Sequence, residues 1–286
     1  MIAAGRPIMF TYDADAREVR RTADAFTLAR AYDPVGRLTS QTAMTSDRTL
    51  QERAYTYRAD GHLTAADALL SGARRFELDA VGRVTAVTAE GWTESYAYDA
   101  VDNQTQAAWP ATHPGHEATG PRAYAGTRLV RAGQVRYEHD ALGRIALRQK
   151  KRLSGRPDTW RYEGDAEDRL TSVLTPDGIR RRCTYDPIGR RTAKLRLDAD
   201  GDTVVERVTF MWDGTTVCEP TSVSRKLPHP ETLTWDHRDQ RPVAQSERIT
   251  AADAPQEEID SRFFTIVTDL VGTPTELTSA REPMVA

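Results

Sequence analysis

Apolar and polar residues alternate along this chain in short runs, and no segment carries a strong three-to-four-residue helical period. Trp92, Glu94, Tyr96 and Tyr98 fall on one side while Thr93, Ser95 and Ala97 fall on the other, the period of two that marks a strand. Tyr55 and Tyr57 form the same i, i+2 pair just before a turn signal. The pattern predicts short strands joined by tight turns.

The turn signals repeat. Tyr32-Asp33-Pro34-Val35-Gly36-Arg37 returns as Leu78-Asp79-Ala80-Val81-Gly82-Arg83, His139-Asp140-Ala141-Leu142-Gly143-Arg144 and Tyr185-Asp186-Pro187-Ile188-Gly189-Arg190. Weaker copies centre on Asp13, Arg58, Asp99 and Asp165. The step is about 20–25 residues, doubled once across a Pro- and Gly-rich stretch, which predicts a decayed copy near residues 115–130. Asp bonds the backbone ahead of it, Pro presets φ, and Gly takes the left-handed conformation that closes the turn. Asp102 and Asp168 stand at the Gly position and tolerate that conformation; Ala16 there costs roughly 1–2 kcal/mol, so the first copy is expected to fray or turn differently. Each unit is a β-hairpin, and the fold expected is all-β: tandem hairpins in a curved, extended antiparallel sheet.

Composition limits the core. Leu, Ile, Val and Phe together make up roughly 18% of the chain, a share that signals disorder only when net charge is high, and here the net charge is −3. A folded chain with a thin core is expected. Arg far outnumbers Lys, which reads as genomic codon bias, and the pI near 6.1 argues against nucleic acid as a partner. No apolar run is long enough to span a membrane, and the start lacks the pattern of a signal peptide. Cys183 and Cys218 are too few for a disulfide scaffold or a zinc site and are expected as reduced thiols.

The Tyr-Asp-x-x-Gly-Arg period resembles the YD repeat of the Rhs family, which includes bacterial Rhs proteins, wall-associated proteins, Tc-toxin shell proteins and animal teneurins. The resemblance covers about residues 10–278. Thr268-Asp269-Leu270-Val271-Gly272-Thr273-Pro274 is similar to the Rhs-associated core, and Trp235-Asp236-His237 through Arg241-Pro242-Val243 matches its lead-in. The resemblance implies a hollow β-shell segment, non-enzymatic, that encloses or docks a C-terminal toxin, in a secreted or cell-surface protein. Residues 1–200 then form the repeat array and 201–286 the remnant of the core, which is expected to add strands at Val204–Trp212 and Thr232–Asp236 and to turn inward through Phe263–Leu277. The family's autoprotease cuts at Asp-Pro-x-Gly-x-x-Gly, which this sequence lacks. An open sheet with an exposed inner face and edges is expected, with the toxin domain or the remaining shell as partner and self-association through the edges.

Candidate chemistry is sparse. Asp33, Gly36, Arg37, Asp79, Gly82, Arg83, Asp140, Gly143, Arg144, Asp186, Gly189 and Arg190 recur with every strong copy and are therefore turn formers, with the arginines a solvated ladder. Asp269 is the weak catalytic candidate, because the resemblance places an acid-pair protease in the core; with Gly272, Thr273 and Pro274 it reads better as a capped turn. His113 and His116 read as exposed loop histidines, so neither a metal nor a cofactor is expected. Asn103-Gln104-Thr105 matches a glycosylation sequon by coincidence within a degenerate turn. Five tryptophans could instead stack on sugars, the basis of the alternative reading as a carbohydrate-binding or adhesion module. An enzyme using the open sheet as a cleft is the weakest reading.

Overall fold

The structure, a computed structural model, describes residues 1–152, 154–227, 229–249, 261–279 and the strand Pro283–Val285. Among these residues lies one 26-stranded antiparallel sheet. Each strand pairs with the next in chain order, from Ile2–Ala3 against Arg6–Tyr12 to Pro274–Thr278 against Pro283–Val285. Such a meander needs only local reversals, which the repeated turns supply. Strands occur at Val204–Asp213 and Glu231–Arg238, spanning the two segments expected from the sequence. The described helix is a single 3-10 turn, His116–Ala118, in the Pro/Gly stretch.

Most alternate reversals are of the repeat type, so these turns line one edge of the ribbon. The ladder slips by one residue just before them, as between Ala31 and Tyr32 or Thr184 and Tyr185. This is the bulge that a type I turn closed by a left-handed residue requires. Gly36 accordingly has φ 87°.

Burial is uneven along the ribbon. In Trp92–Tyr98 half-buried and exposed residues alternate and none is fully buried, as in a single layer wet on both sides. The core lies instead where the two ends of the chain meet face to face. Ile8 and Ala23 pack with Val243 and Ala244, and Phe10 and Phe263 lean on them. Phe26, Leu28, Ala43 and Leu50 pack with Val267. The expectation of an exposed inner face therefore fails for the first strands. The segment around Phe263–Leu277 does turn inward, and it covers them, because apolar side chains on Phe26–Tyr32 and Ser261–Thr268 have nowhere else to leave water.

Candidate functional site

The repeated turns are built from one set of contacts. Asp33 Oδ1 accepts from the backbone N–H groups of Val35 at 3.1 Å and Arg37 at 2.9 Å, and Oδ2 accepts from Arg37 Nε at 2.6 Å. The Gly36 N–H donates to the Asp33 carbonyl at 2.9 Å. Asp79 with Arg83, Asp140 with Arg144 and Asp186 with Arg190 repeat these bonds. Gly82, Gly143 and Gly189 have φ of 89°, 88° and 87°. The side-chain bond from Arg144 holds the Asp140 carboxyl below its ordinary value despite some desolvation. Arg58 does the same to Asp60, down to about 2.

The arginines do more than pair with their own aspartates, and the expectation of a solvated ladder misses this. Arg37 Nη1 donates to the Arg58 carbonyl at 3.3 Å, Arg83 Nη1 to the Asp99 carbonyl at 3.2 Å and Arg169 Nη1 to the Asp186 carbonyl at 3.4 Å. Each guanidinium thus ties one turn to the next. It also lies over the aromatic ring of the following copy: Arg37 on Tyr57 at 4.9 Å and Arg83 on Tyr98 at 4.8 Å. Those tyrosines reach back. The Tyr57 hydroxyl donates to the Leu38 carbonyl at 2.7 Å and the Tyr98 hydroxyl to the Val84 carbonyl at 3.0 Å.

Departures from the motif are absorbed by the same geometry. Asp102 and Asp168 adopt φ of 67° and 62° and receive Arg83 and Arg144 of the preceding copies. Ala16 keeps the turn at φ 59°, its N–H donating to the Asp13 carbonyl at 3.1 Å, so the first copy is not frayed. Asn103 replaces Arg and donates to Asp99 Oδ2 at 3.0 Å. Tyr124 fills the decayed copy, its hydroxyl donating to the Gln104 carbonyl at 3.0 Å. A further copy escapes the sequence motif: Trp212 Nε1 donates to the Arg191 carbonyl at 2.8 Å, and Arg190 Nη1 to the Gly214 carbonyl at 3.0 Å. Its sequence signal is the Trp212-Asp213 pair, with Gly214 two residues after the aromatic instead of four.

Asp269 sits in a turn of the same kind. Its Oδ1 accepts from the N–H groups of Val271 at 3.0 Å and Thr273 at 2.8 Å, and the Gly272 N–H donates to its carbonyl at 3.1 Å. Gly272 has φ 94°, and Pro274 opens the next strand opposite Thr268. With its oxygen committed to the turn, Asp269 has the surroundings of a cap rather than of an acid paired for water activation.

Behind this turn lies a buried polar seam. Gln41 Nε2 donates to the Thr268 carbonyl at 3.1 Å and Gln51 Nε2 to Glu276 Oε1 at 3.0 Å. Arg53 binds Gln41 Oε1 at 2.9 Å and Thr275 Oγ1 at 3.0 Å, and pairs with Glu276. Burial pushes the Glu276 carboxyl up, but bonds from Arg53, Gln51 and Thr275 outweigh it and hold the group below its ordinary value. A network of this kind aligns the two layers as well as joining them, since any slip would strand a buried charge.

The remaining candidates find partners within the chain. His113 is half-buried, edge-on to Trp92 at 5.0 Å with Nδ1 3.2 Å from Glu94, so it is not the free loop residue expected; His116 is exposed. Trp160 lies under Arg148 and Trp109 under Arg122, and Trp235 Nε1 donates to Gln245 at 2.8 Å. Cys183 and Cys218 are free thiols. Among the described residues no group of three or more His, Cys, Asp or Glu could hold a metal ion, and no helix is long and apolar enough to cross a membrane.

Comparison with known proteins supplies the context for this ribbon. The Teneurin YD-shell family model matches residues 6–205. The "Probable deoxyribonuclease RhsA" of Dickeya dadantii is 32% identical over 75% of this chain and 15% of its own length. The "Double-stranded DNA deaminase toxin A" of Burkholderia cenocepacia is 31% identical over 94% of this chain and 19% of its own. The "Toxin protein Tse5" of Pseudomonas aeruginosa is 30% identical over 74% of this chain and 18% of its own. The chain thus spans less than a fifth of these relatives. The crystal structure of TcdB2-TccC3-TEV superposes with a TM-score of 0.59 at 14% identity, over 95% of this chain and 15% of that one.

Proposed function

Because this chain belongs to the Rhs and teneurin YD-shell family, we propose that it forms part of a toxin-enclosing wall, a non-enzymatic shell segment that holds or docks a toxin domain. In this reading residues 1–200 form the wall and residues 201–286 belong to the associated core. The observation that carries it is the ribbon's single-layered middle. Phe76, Val87, Trp92 and Tyr96 share one face with Arg74 and Glu94 by strand register, and Phe76, Trp92 and Tyr96 on it are only half-buried. Half-exposed aromatic residues set among charged ones suit the binding of a partner chain. The relatives' nuclease and deaminase names describe proteins of which this chain matches less than a fifth.

The turn edge supports the remaining shell as a second partner. Val35, Val81, Val101, Leu142, Ile188 and Val271 occupy the same turn position and are 64–78% exposed. Nothing in the turn needs an aliphatic residue there, and turns on alternate strands recur about every 10 Å along the edge. A neighbouring YD ribbon carries the same spacing and could meet every tip.

Co-expression of this chain with the toxin-type domain encoded beside it tests the main reading. Co-purification, with the toxin protected from limited proteolysis, is expected. Separate elution with an unprotected toxin would overturn it.

A further inference from the structure

The first repeat and the last hairpins enclose a cavity of about 360 Å³ beside the buried seam. Five arginines and two carboxylates, Glu18 and Asp239, line it. Arg17 is neutralised by its own turn, 2.7 Å from Asp13 and 2.8 Å from Asp15. Arg238 stacks on Phe10 and Tyr12 and lies 3.9 Å from Asp239. Arg21 and Arg30 are left to share Glu18.

That sharing is incomplete. Glu18 Oε1 lies 2.8 Å from Arg30 Nη1 and 3.4 Å from Arg21 Nε, yet neither Glu18 Oε1 nor Arg21 Nε makes a well-aligned hydrogen bond. Arg21 is 1% exposed, and its recorded bond is a long one, from Nη1 to the Val243 carbonyl at 3.4 Å. A buried guanidinium with an unmet donor is costly unless something completes its shell. Arg241, on the opposite wall, lies against Gly272 and pairs with no carboxylate among the described residues. A larger cavity of about 870 Å³ near Val135 and Pro157 also holds arginines, but Arg136 and Arg152 there are already paired with Glu138 and Asp158.

We propose that the smaller cavity is an oxyanion site, in which Arg21 from the floor and Arg241 from the rim bind a carboxylate or phosphate group. Planar guanidinium forks match the paired oxygens of either group. Glu18 is the internal competitor, holding Arg30 in place while repelling the incoming anion. The site forms only where the first and last strands meet, so its ligand also bridges the two ends of the ribbon.

Calorimetric titration at fixed ionic strength with inorganic phosphate, citrate and, as control, chloride tests the site in the intact chain and in Arg241→Gln and Glu18→Gln. Saturable binding of phosphate or citrate is expected, and whichever anion binds identifies the source. Because Arg241 is exposed, the circular dichroism spectrum of Arg241→Gln should not change, while its affinity should fall roughly tenfold. Affinity should rise several-fold in Glu18→Gln, the opposite of what a purely structural Glu18 would give. Binding no tighter than chloride, an unchanged affinity in Arg241→Gln, or weaker binding in a folded Glu18→Gln protein would each overturn the proposal.

Discussion

The Arg83 guanidinium crosses a repeat boundary to reach Asp102, which stands where the strong copies carry glycine. In the glycine-bearing copies the same space is filled differently: a Cβ on Gly36 would meet Arg17 Nη1 at 3.3 Å, and one on Gly61 would meet Arg37 Nη1 at 3.9 Å. The fourth turn position is therefore chosen twice, for left-handed backbone and for a neighbour's arginine. Aspartate satisfies both.

Glycine substitutions should separate these two demands. Gly36→Ala meets only the movable end of Arg17, so the expected cost is the left-handed backbone, roughly 1–2 kcal/mol. Gly133→Ala, at φ 52°, would place Cβ 1.9 Å from the Thr119 carbonyl oxygen, and backbone must move. Urea midpoints should rank Gly133→Ala well below Gly36→Ala, and equal midpoints would contradict the geometry.

The tyrosine links should be measurable one at a time. Tyr57→Phe removes the bond to the Leu38 carbonyl and keeps the ring under Arg37, for an expected loss of about 0.5–1.5 kcal/mol. Tyr57→Leu also removes the cation–π contact and should lose about 0.5–1 kcal/mol more. Equilibrium denaturation of the two variants reads the difference.

Breaking the seam should cost more than breaking a turn link. Glu276→Ala leaves Arg53 and Gln51 buried without their shared acceptor, for an expected loss of about 3–5 kcal/mol. Replacing Arg53 and Glu276 together with Met and Leu should recover much of that stability. Hydrogen exchange should show protection lost first in Thr49–Tyr57 and Pro274–Thr278, the strands that these contacts join.

Acid should loosen the turn edge. Asp140 and Asp165 are held below their ordinary values, by the Arg144 side chain and the Arg169 backbone N–H respectively, and Asp60 lies at about 2 against an ordinary 3.8. Depressed carboxylates stabilise the fold above their unfolded pKa, and that contribution disappears as pH falls through the folded one. Melting temperature should hold at neutral pH and drop between pH 3.8 and about 2 in the case of Asp60. Asp60→Asn should flatten that part of the curve.

Exposed turn tips should control association. Changing Val35, Val81, Leu142 and Ile188 to Asp leaves the turn bonds untouched, because these side chains are exposed. Sedimentation should show weaker association with further YD ribbon at unchanged melting temperature.

Much of this architecture was legible before any coordinates. Asp33, Gly36 and Arg37 act on backbone within four residues of one another, and such local chemistry leaves a mark on sequence. Tyr124 and Trp212 were harder to find, since Tyr124 has no Asp after it and both turns reach their glycine, Gly126 and Gly214, two residues after the aromatic instead of four. The crossing Arg contacts were invisible, because the carbonyl that Arg37 reaches belongs to backbone 21 residues away and any residue presents one.

By itself, then, the order of residues determined an all-β ribbon and the spacing of its reversals, because hairpins close through contacts between near neighbours. Tertiary structure alone decided that the ribbon's ends lie face to face, with Arg21 bonded to Val243 across 222 residues and Gln41 to Thr268. Those pairings depend on how small twists add up over many strands, a sum that no single repeat encodes.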